Sequence, residues 1–264
     1  MTMIPNDKSQ LNGLHLFCNP YSNCAGRVML AVTEKELDVQ IHLVDLLKGE
    51  QLSEAYRAIN PTCDIPSIVK DGEAMGDSIA ILRYLEKAFP EKPLSPNNQE
   101  QQSQMDNLLD RASQSHMEYI VPWIYAKGLG RFPTPEQKEF YDQYVPHRSD
   151  FHNKRIAGII ATNYREPEKK IHQVLMELNH RLSEHQYLIG DRYSLADIAW
   201  FPTLYLLGRI FTFPLKQYSH ILRWMAVLES RPAFINGVKA HFKPIPHWLV
   251  RLIIKAIRFT GGRQ

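Results

Sequence analysis

The first ninety residues alternate between two hydrophobic periods. Short runs with an apolar or alternating pattern predict strands at Leu14–Phe17, Val39–Val44, Ser67–Val69 and Glu73–Met75. Stripes of apolar residues with helical spacing predict helices over Ala25–Glu36, Leu52–Ile59 and Asp77–Phe89. The Asp71-Gly72 pair between the last two strands is a hairpin signal. The order βαβαββα therefore predicts an α/β layer structure.

The rest of the chain has a different pattern. A polar stretch with three prolines, Pro90–Gln99, has no periodicity and is typical of a boundary between domains. Beyond it no strand is predicted, and helical patterns cover 100–127, 136–162, 167–185, 194–210 and 219–241. One start is well marked, because Ser194 and Asp197 have the spacing of a capping box. We expect an α/β domain over 12–90, an all-α helical bundle over 100–245 and a tail over 246–264.

Composition narrows the class of protein. Hydrophobic residues make up 44% of the 264 residues, which is enough for a packed core. The 31 basic residues nearly balance the 28 acidic ones, which argues against a nucleic-acid-binding protein. Cys18, Cys24 and Cys63 form no C-x-x-C pair, so neither a disulfide framework nor a metal site is expected. There is no apolar leader and no run of about 18 apolar residues, so the expected location is cytoplasmic.

Three motifs occur in order along the chain. They are NPTCDIP at 60–66, GDSIAILRYL at 76–85 and YLIGDRYSLAD at 187–197. They resemble the Asn-Pro-x-Gly-x-Val-Pro, Glu-Ser-x-Ala-Ile-x-x-Tyr-Leu and capping-box segments of the cytosolic glutathione transferase superfamily. The resemblance implies a thioredoxin-like domain followed by a helical domain, glutathione as co-substrate, a homodimer and a role in detoxification.

Two of these motifs predict a glutathione site on physical grounds. A proline after a β-branched residue and before a short strand suits a cis peptide, which would leave the backbone of Ile65 beside Pro66 free to pair with an extended peptide. Asp77 and Ser78 lie where a helix starts, and the amides there favour a carboxylate. These four residues are expected to bind glutathione. Asp64 stands where the family has glutamine or lysine, and would repel a glutathione carboxylate if it pointed into the site.

The turn between the first strand and the first helix should hold the reactive position. It resembles the Ser-Ser-Cys-x-x-Arg-Val of the zeta class, which makes Ser22 the catalytic hydroxyl and matches Cys24 and Arg27 to the class's cysteine and arginine. Gln51 resembles a zeta-class glutathione contact. The beta class instead uses a cysteine at the position of Cys24, and other relatives use an asparagine, which points to Asn23. We expect Ser22 to stabilise the glutathione thiolate by donating a hydrogen bond, and the two alternatives stay open.

The helical half offers His116, Tyr119 and Trp123 as contacts for a small-molecule electrophile. Their aromatic character suits an apolar, planar ligand. The segment 128–170 is longer than a zeta-class protein needs, and resembles bacterial relatives that cleave aryl ethers or dehalogenate aromatics. The expected function is a glutathione transferase acting on an apolar, aromatic electrophile. The alternatives are an isomerase, an aryl-ether cleaving enzyme or dehalogenase, a thiol oxidoreductase based on Cys24, and a non-enzymatic interaction protein.

The tail has its own pattern. Between Pro246 and Phe259, apolar residues share one helical face and basic residues lie on another. It is too short to span a bilayer. We expect it to cover the substrate pocket as a lid, with peripheral membrane contact as the alternative.

Overall fold

A mixed sheet organises the first part of the computed structural model, which describes residues 7–46, 48–129, 135–158, 162–242, Pro246, Trp248, Leu249, Leu252 and Ala256. The strands are β1 (Leu14–Cys18), β2 (Val39–Leu43), β3 (Ser67–Lys70) and β4 (Glu73–Met75), in the order β2-β1-β3-β4. Strand β1 pairs parallel to β2 and antiparallel to β3, and β3 pairs antiparallel to β4. The helices between them are α1 (Asn23–Glu34), α2 (Glu54–Ile59) and α3 (Ser78–Ala88). The predicted order βαβαββα is confirmed.

Among the residues described, the second part contains helices and no strand, as predicted, apart from a single β-bridge between Tyr187 and Gly190. Its helices are α4 (Gln99–Ser115), α5 (Val121–Ile124), α6 (Pro135–Tyr144), α7 (Ser149–Ile156), α8 (Arg165–Glu184), α9 (Leu195–Tyr205), α10 (Ser219–Glu229) and α11 (Pro232–Gly237). Wider π turns follow three of them, at His116–Ile120, Tyr125–Leu129 and Leu206–Ile210. This α/β sheet followed by a helical bundle is the predicted fold class.

Two predicted helices are divided, and a proline explains each division. The pattern over 136–162 breaks between α6 and α7, where Pro146 begins a short 3-10 turn. The pattern over 219–241 ends at Glu229, and Pro232 starts the next helix. Proline lacks a backbone N–H and fixes φ, so it suits the first turn of a helix and not its interior.

Helix α1 is packed against both parts of the molecule. A Cβ added to Gly26 would lie 2.9 Å from the Cβ of Pro202 in α9, so only glycine allows this approach. At the other end of α1, the carboxylate of Glu34 accepts two hydrogen bonds from Arg231, at 2.7 and 2.8 Å. Buried residues of the sheet layer and of the helical bundle belong to one continuous core. The residues at the start of α1 are therefore held at the junction of the two parts.

The start of α9 is fixed by the predicted capping box. The carboxylate of Asp197 accepts a hydrogen bond from the backbone N–H of Ser194 at 2.9 Å, and it also accepts from the indole N–H of Trp224 at 2.8 Å. Because Asp197 is fully buried, these bonds compensate its loss of hydration. In the part of the chain that is described, no helix is long and apolar enough to cross a membrane.

Candidate functional site

Ser22 lies at the N-cap of α1, directly after the turn that follows β1. Its Oγ accepts a hydrogen bond from the backbone N–H of Ala25 at 3.3 Å, so the hydroxyl hydrogen remains available to a ligand. The turn itself is held by Asn19, whose amide donates to the carbonyl of Val44 at 2.8 Å. Cys24 falls in the first helical turn, because α1 begins at Asn23, two residues before the start predicted at Ala25.

The thiol of Cys24 is half-buried in a cluster of polar groups. Arg27 Nη1 lies 3.8 Å from its Sγ, and the side chains of His116 and Ser78 lie beside it. Burial raises the pKa of Cys24, but the electrostatic attraction of His116 and Arg27 and the polar side chains of His116 and Ser78 outweigh it, and lower the pKa to about 6. Cys18, at the end of β1, has no such partners, and burial raises its pKa to about 12. The surroundings of Cys24 therefore favour its thiolate form.

The guanidinium of Arg27 is the centre of this cluster. Its side chain is 1% exposed and donates in three directions. Nη1 donates to Ser78 Oγ at 3.1 Å, Nε donates to the carbonyl of Ala199 in α9 at 2.8 Å, and Nη2 donates to the carbonyl of Ala112 in α4 at 2.8 Å. Burial lowers the pKa of Arg27, and the nearby negative charge of Cys24 counteracts this. One cation thus joins the sheet layer to two helices of the bundle.

Asp77 and Ser78 begin α3 beside this guanidinium. Asp77 has a positive φ of 63°, and its Oδ1 accepts hydrogen bonds from the amides of Ile79 and Ala80, both at 2.9 Å. Two of the amides that we expected to face a ligand are therefore bonded by Asp77 itself. Ser78 is buried, and its Oγ accepts from Arg27, which leaves its hydroxyl hydrogen to donate to another group.

The peptide bond between Ile65 and Pro66 is cis, as the motif predicted. The ladder between β1 and β3 starts one residue after the proline, so Ile65 lies just outside it. The carboxylate of Asp64 accepts from the Asn60 amide and from the Thr62 hydroxyl, both at 2.8 Å. The Asp64 carboxylate is therefore bonded within its own loop, whereas an acid that repelled glutathione would point into the site.

Comparisons with known proteins agree with this arrangement. The model of the "Glutathione S-transferase, N-terminal domain" matches residues 21–88, and that of the "Glutathione S-transferase, C-terminal domain" matches residues 146–232. The chain is 30% identical over 216 residues to glutathione S-transferase F10 of Arabidopsis thaliana, covering 79% of this chain and 88% of that protein. The chain belongs to the glutathione S-transferase family. Glutathione is the co-substrate of this family.

Other relatives of this glutathione transferase carry different names. It is 28% identical over 215 residues to a probable maleylacetoacetate isomerase 2 of Drosophila melanogaster, covering 81% of this chain and 82% of that one. Among solved structures, it matches the beta-etherase LigF from Sphingobium sp. strain SYK-6 with a TM-score of 0.73 and 25% identity, over 87% of this chain and 98% of that one. The superfamily resemblance stated from the motifs is confirmed.

Of the predicted electrophile contacts in this transferase, the structure brings only His116 to Cys24. Trp123 is buried in the helical part, where its indole N–H donates to Glu168 at 2.8 Å. Tyr119 is buried in the same core. Their aromatic density is thus used largely for packing between helices.

Asn23 and Gln51, two other predicted site residues, differ in what their side chains contact. The amide of Asn23 donates to the hydroxyl of Thr203 in α9 at 2.9 Å, so this side chain joins α1 to the bundle. Gln51 is half-buried in a 3-10 turn at Glu50–Leu52, and its Oε1 is buried without a hydrogen-bond partner among the residues described. A buried acceptor of this kind is available to a ligand donor.

The bonds from Arg27 to three separate segments of the chain were not predicted from the sequence. A signal was present, because Arg27 stands alone as a charged residue among apolar and small residues from Ala25 to Val32. A charge on a buried helical face must be paired or bonded by carbonyls. What the sequence did not contain is the identity of the partners.

The tail is described at five positions only. Trp248, Leu249 and Leu252 are exposed there. The other residues of 246–264 lie outside the described part, so the expected lid stays a prediction. Just before the tail, Phe242 packs edge-on against Tyr21, with ring centroids 4.9 Å apart.

Proposed function

We propose that this glutathione transferase activates the thiolate of glutathione for attack on an apolar, aromatic electrophile, with Ser22 holding the sulfur. The observation that carries the proposal is the state of Ser22 Oγ. It caps α1 by accepting from Ala25 N–H, which leaves the hydroxyl hydrogen to donate to another acceptor. A thiolate is such an acceptor, and a hydrogen bond to the charged form lowers the pKa of the thiol.

The neighbouring residues suit the rest of a glutathione molecule. The backbone of Ile65, outside the ladder and beside the cis peptide, would pair with the extended peptide. The hydroxyl of Ser78 would donate to the carboxylate of the amino-acid head, and the exposed carboxylate of Asp77 would attract its ammonium group. Gln51 would offer its buried Oε1 to a donor of the ligand.

The chemical step then requires little of the protein. The sulfur lone pair forms a bond to the electrophilic carbon, and the leaving group departs with its bonding electrons and takes up a proton from solvent or from a nearby acid. Of the predicted electrophile contacts, His116 lies beside Cys24, and we expect it to face the electrophile. We rank conjugation first, and isomerisation, ether cleavage and dehalogenation after it.

A second candidate function rests on Cys24. Its thiol is half-buried, and its pKa is lowered to about 6, which are the properties of a reactive cysteine. The Cys24 thiolate would attack the glutathione sulfur of a mixed disulfide between glutathione and a substrate thiol, which forms a Cys24–glutathione disulfide and releases the substrate as its thiolate. A second glutathione would then attack the Cys24–glutathione disulfide, restore Cys24 and leave as glutathione disulfide. This chemistry would make the protein a thiol oxidoreductase.

Matched alanine variants separate the two functions. If Ser22 donates to the glutathione sulfur, Ser22→Ala should raise the pKa of the bound thiol and lower kcat/KM by about 10- to 100-fold, which is about 1.4–2.7 kcal/mol in the barrier. Cys24→Ala should change kcat/KM little. The thiolate absorbance of bound glutathione, titrated on both variants, gives the pKa directly. A glutathione adduct on Cys24 in intact-protein mass spectra, with activity lost only in Cys24→Ala, would establish the second function instead.

A further inference from the structure

Helix α4 does not end in ordinary α geometry. The backbone N–H of His116 bonds to the carbonyl of Ser113, three residues back, and the N–H of Val121 bonds to the carbonyl of His116, five residues back. The helix therefore widens into the π turn His116–Ile120 before α5 begins. A π turn within a helix is uncommon and is frequently found at functional sites.

The π turn has an identifiable partner outside the helix. In a regular α-helix the carbonyl of Ala112 would accept from the N–H of His116, four residues on. Here that carbonyl accepts from Arg27 Nη2 at 2.8 Å and from Ser115 Oγ at 3.0 Å. The bond from Arg27 comes from α1, which lies 85 residues earlier in the chain. A guanidinium from the sheet layer has thus taken the acceptor that would keep α4 regular.

The residue at the start of this turn is the one that reaches Cys24. The side chain of His116 lies beside the Cys24 thiol and acts on its charge, and the same guanidinium that holds Ala112 lies 3.8 Å from Cys24 Sγ and 3.1 Å from Ser78 Oγ. Arg27 therefore touches both the expected glutathione contact and the helix that carries His116.

We propose that Arg27 is a positioning residue with two effects: it orients the Ser78 hydroxyl toward a glutathione carboxylate, and it stabilises the π turn that places His116 against Cys24. The first effect rests on the proposed function, because it needs glutathione at Ser78. The second effect rests on protein groups alone. Arginine suits both because its planar fork donates in three directions at once, which a lysine ammonium on a flexible stem does not reproduce.

The groups that act on Cys24 make the proposal measurable. They are Arg27 on its own helix, Ser78 at the start of α3 and His116 on the π turn, while the charge of Asp77 acts on Arg27. Burial alone raises a thiol pKa, as it does for Cys18. Loss of His116 from the cluster should therefore raise the pKa of Cys24 even where a cation is kept at position 27.

The test is the pH dependence of Cys24 alkylation by iodoacetamide in the full chain, followed at that residue by peptide mass spectrometry. The wild-type rate should rise with a midpoint near 6. Arg27→Lys keeps the charge but not the bond to Ala112, and His116→Gln removes the imidazole. Both should raise the midpoint by about one unit or more. At a midpoint of about 8, the thiolate fraction at pH 7 is about tenfold lower.

A matched control weakens a different contact between α1 and the bundle. Glu34→Gln loses the ion pair with Arg231, far along α1 from Cys24, and should keep the wild-type midpoint. If Arg27→Lys unfolds at lower urea concentration but also keeps the wild-type midpoint, Arg27 only holds the two parts together, and the positioning role is wrong.

A second variant leaves Arg27 intact. Deleting Met117, an exposed residue of the π turn, should restore regular helical spacing and move His116 away from Cys24. The midpoint should again rise, and an unchanged midpoint would overturn the proposed effect of the turn.

Calorimetry with glutathione tests the other effect, the orientation of the Ser78 hydroxyl, separately. Arg27→Lys should weaken binding at least about tenfold, the cost of one hydrogen bond to a charged group. If the wild type does not bind glutathione, the proposed function is wrong. The alkylation result still tests the effect of Arg27 on the π turn, because it does not involve glutathione.

Discussion

Substitution of Ser78 by alanine tests the proposed glutathione site at the residue that Arg27 contacts. Ser78 Oγ accepts from Arg27 Nη1 at 3.1 Å, so one oxygen lone pair is occupied and the hydroxyl hydrogen can donate to another acceptor. We expect that acceptor to be a carboxylate of glutathione. Ser78→Ala removes this donor, and it also leaves one N–H of a buried guanidinium facing a methyl group.

Ser78→Ala should lower both glutathione affinity and folding stability, by different amounts. A hydrogen bond to a charged group contributes about 1.5–3 kcal/mol, so glutathione affinity should fall about 10- to 150-fold. A buried donor left without an acceptor costs about 1–3 kcal/mol of folding stability. The stability loss should fall toward the lower end of that range, because Arg27 Nη1 keeps its contact with Cys24 Sγ.

Calorimetric titration with glutathione measures the first loss, and urea unfolding measures the second. Ser67→Ala is the matched control, because Ser67 is a buried serine of the same part of the molecule whose hydroxyl bonds to Tyr56 at 2.9 Å. It should lower stability and leave glutathione affinity unchanged. A folded Ser78→Ala protein with wild-type affinity would refute the assignment of Ser78 to the ligand.

Three further outcomes are expected. Gly26→Ala would bring a methyl group to 2.9 Å from the Cβ of Pro202, so the free energy of unfolding should fall by about 1–3 kcal/mol in urea titrations, and an unchanged midpoint would contradict close packing of α1 on α9. Light scattering at micromolar concentration should give twice the chain mass of 30.6 kDa, as the family resemblance implies, and a monomer mass would count against a homodimer. Deletion of 246–264 should change KM or electrophile selectivity if the tail is a lid, whereas unchanged kinetics with loss of liposome binding would favour membrane contact.

Local patterns explain which features the sequence predicted well. The contrast between strand and helix periods identified every strand of the sheet, and the proline motif identified the cis peptide at Pro66. The spacing of Ser194 and Asp197 identified the capping box at the start of α9. Each of these features depends on neighbours within a few positions.

Contacts between distant segments explain what was not predicted. The carbonyls that bind Arg27 lie 85 and 172 residues further along the chain, and backbone carbonyls carry no sequence signal. We propose that the π turn that carries His116 depends on one of these contacts. Trp123 illustrates the opposite difficulty, because an aromatic residue has the same pattern in a core as in a pocket.

The close approach of Gly26 to Pro202 has a consequence for recombination between relatives. A chimera that takes the thioredoxin-like part from one parent and the bundle from another would bring together an α1 and an α9 that were not selected as a pair. A side chain at position 26 would then clash with α9. An arginine at position 27 would bond to α9 and α4 only if their backbone carbonyls lay where those of Ala199 and Ala112 lie here. Exchange within this family should therefore succeed when the crossover keeps α1, α4 and α9 from a single parent.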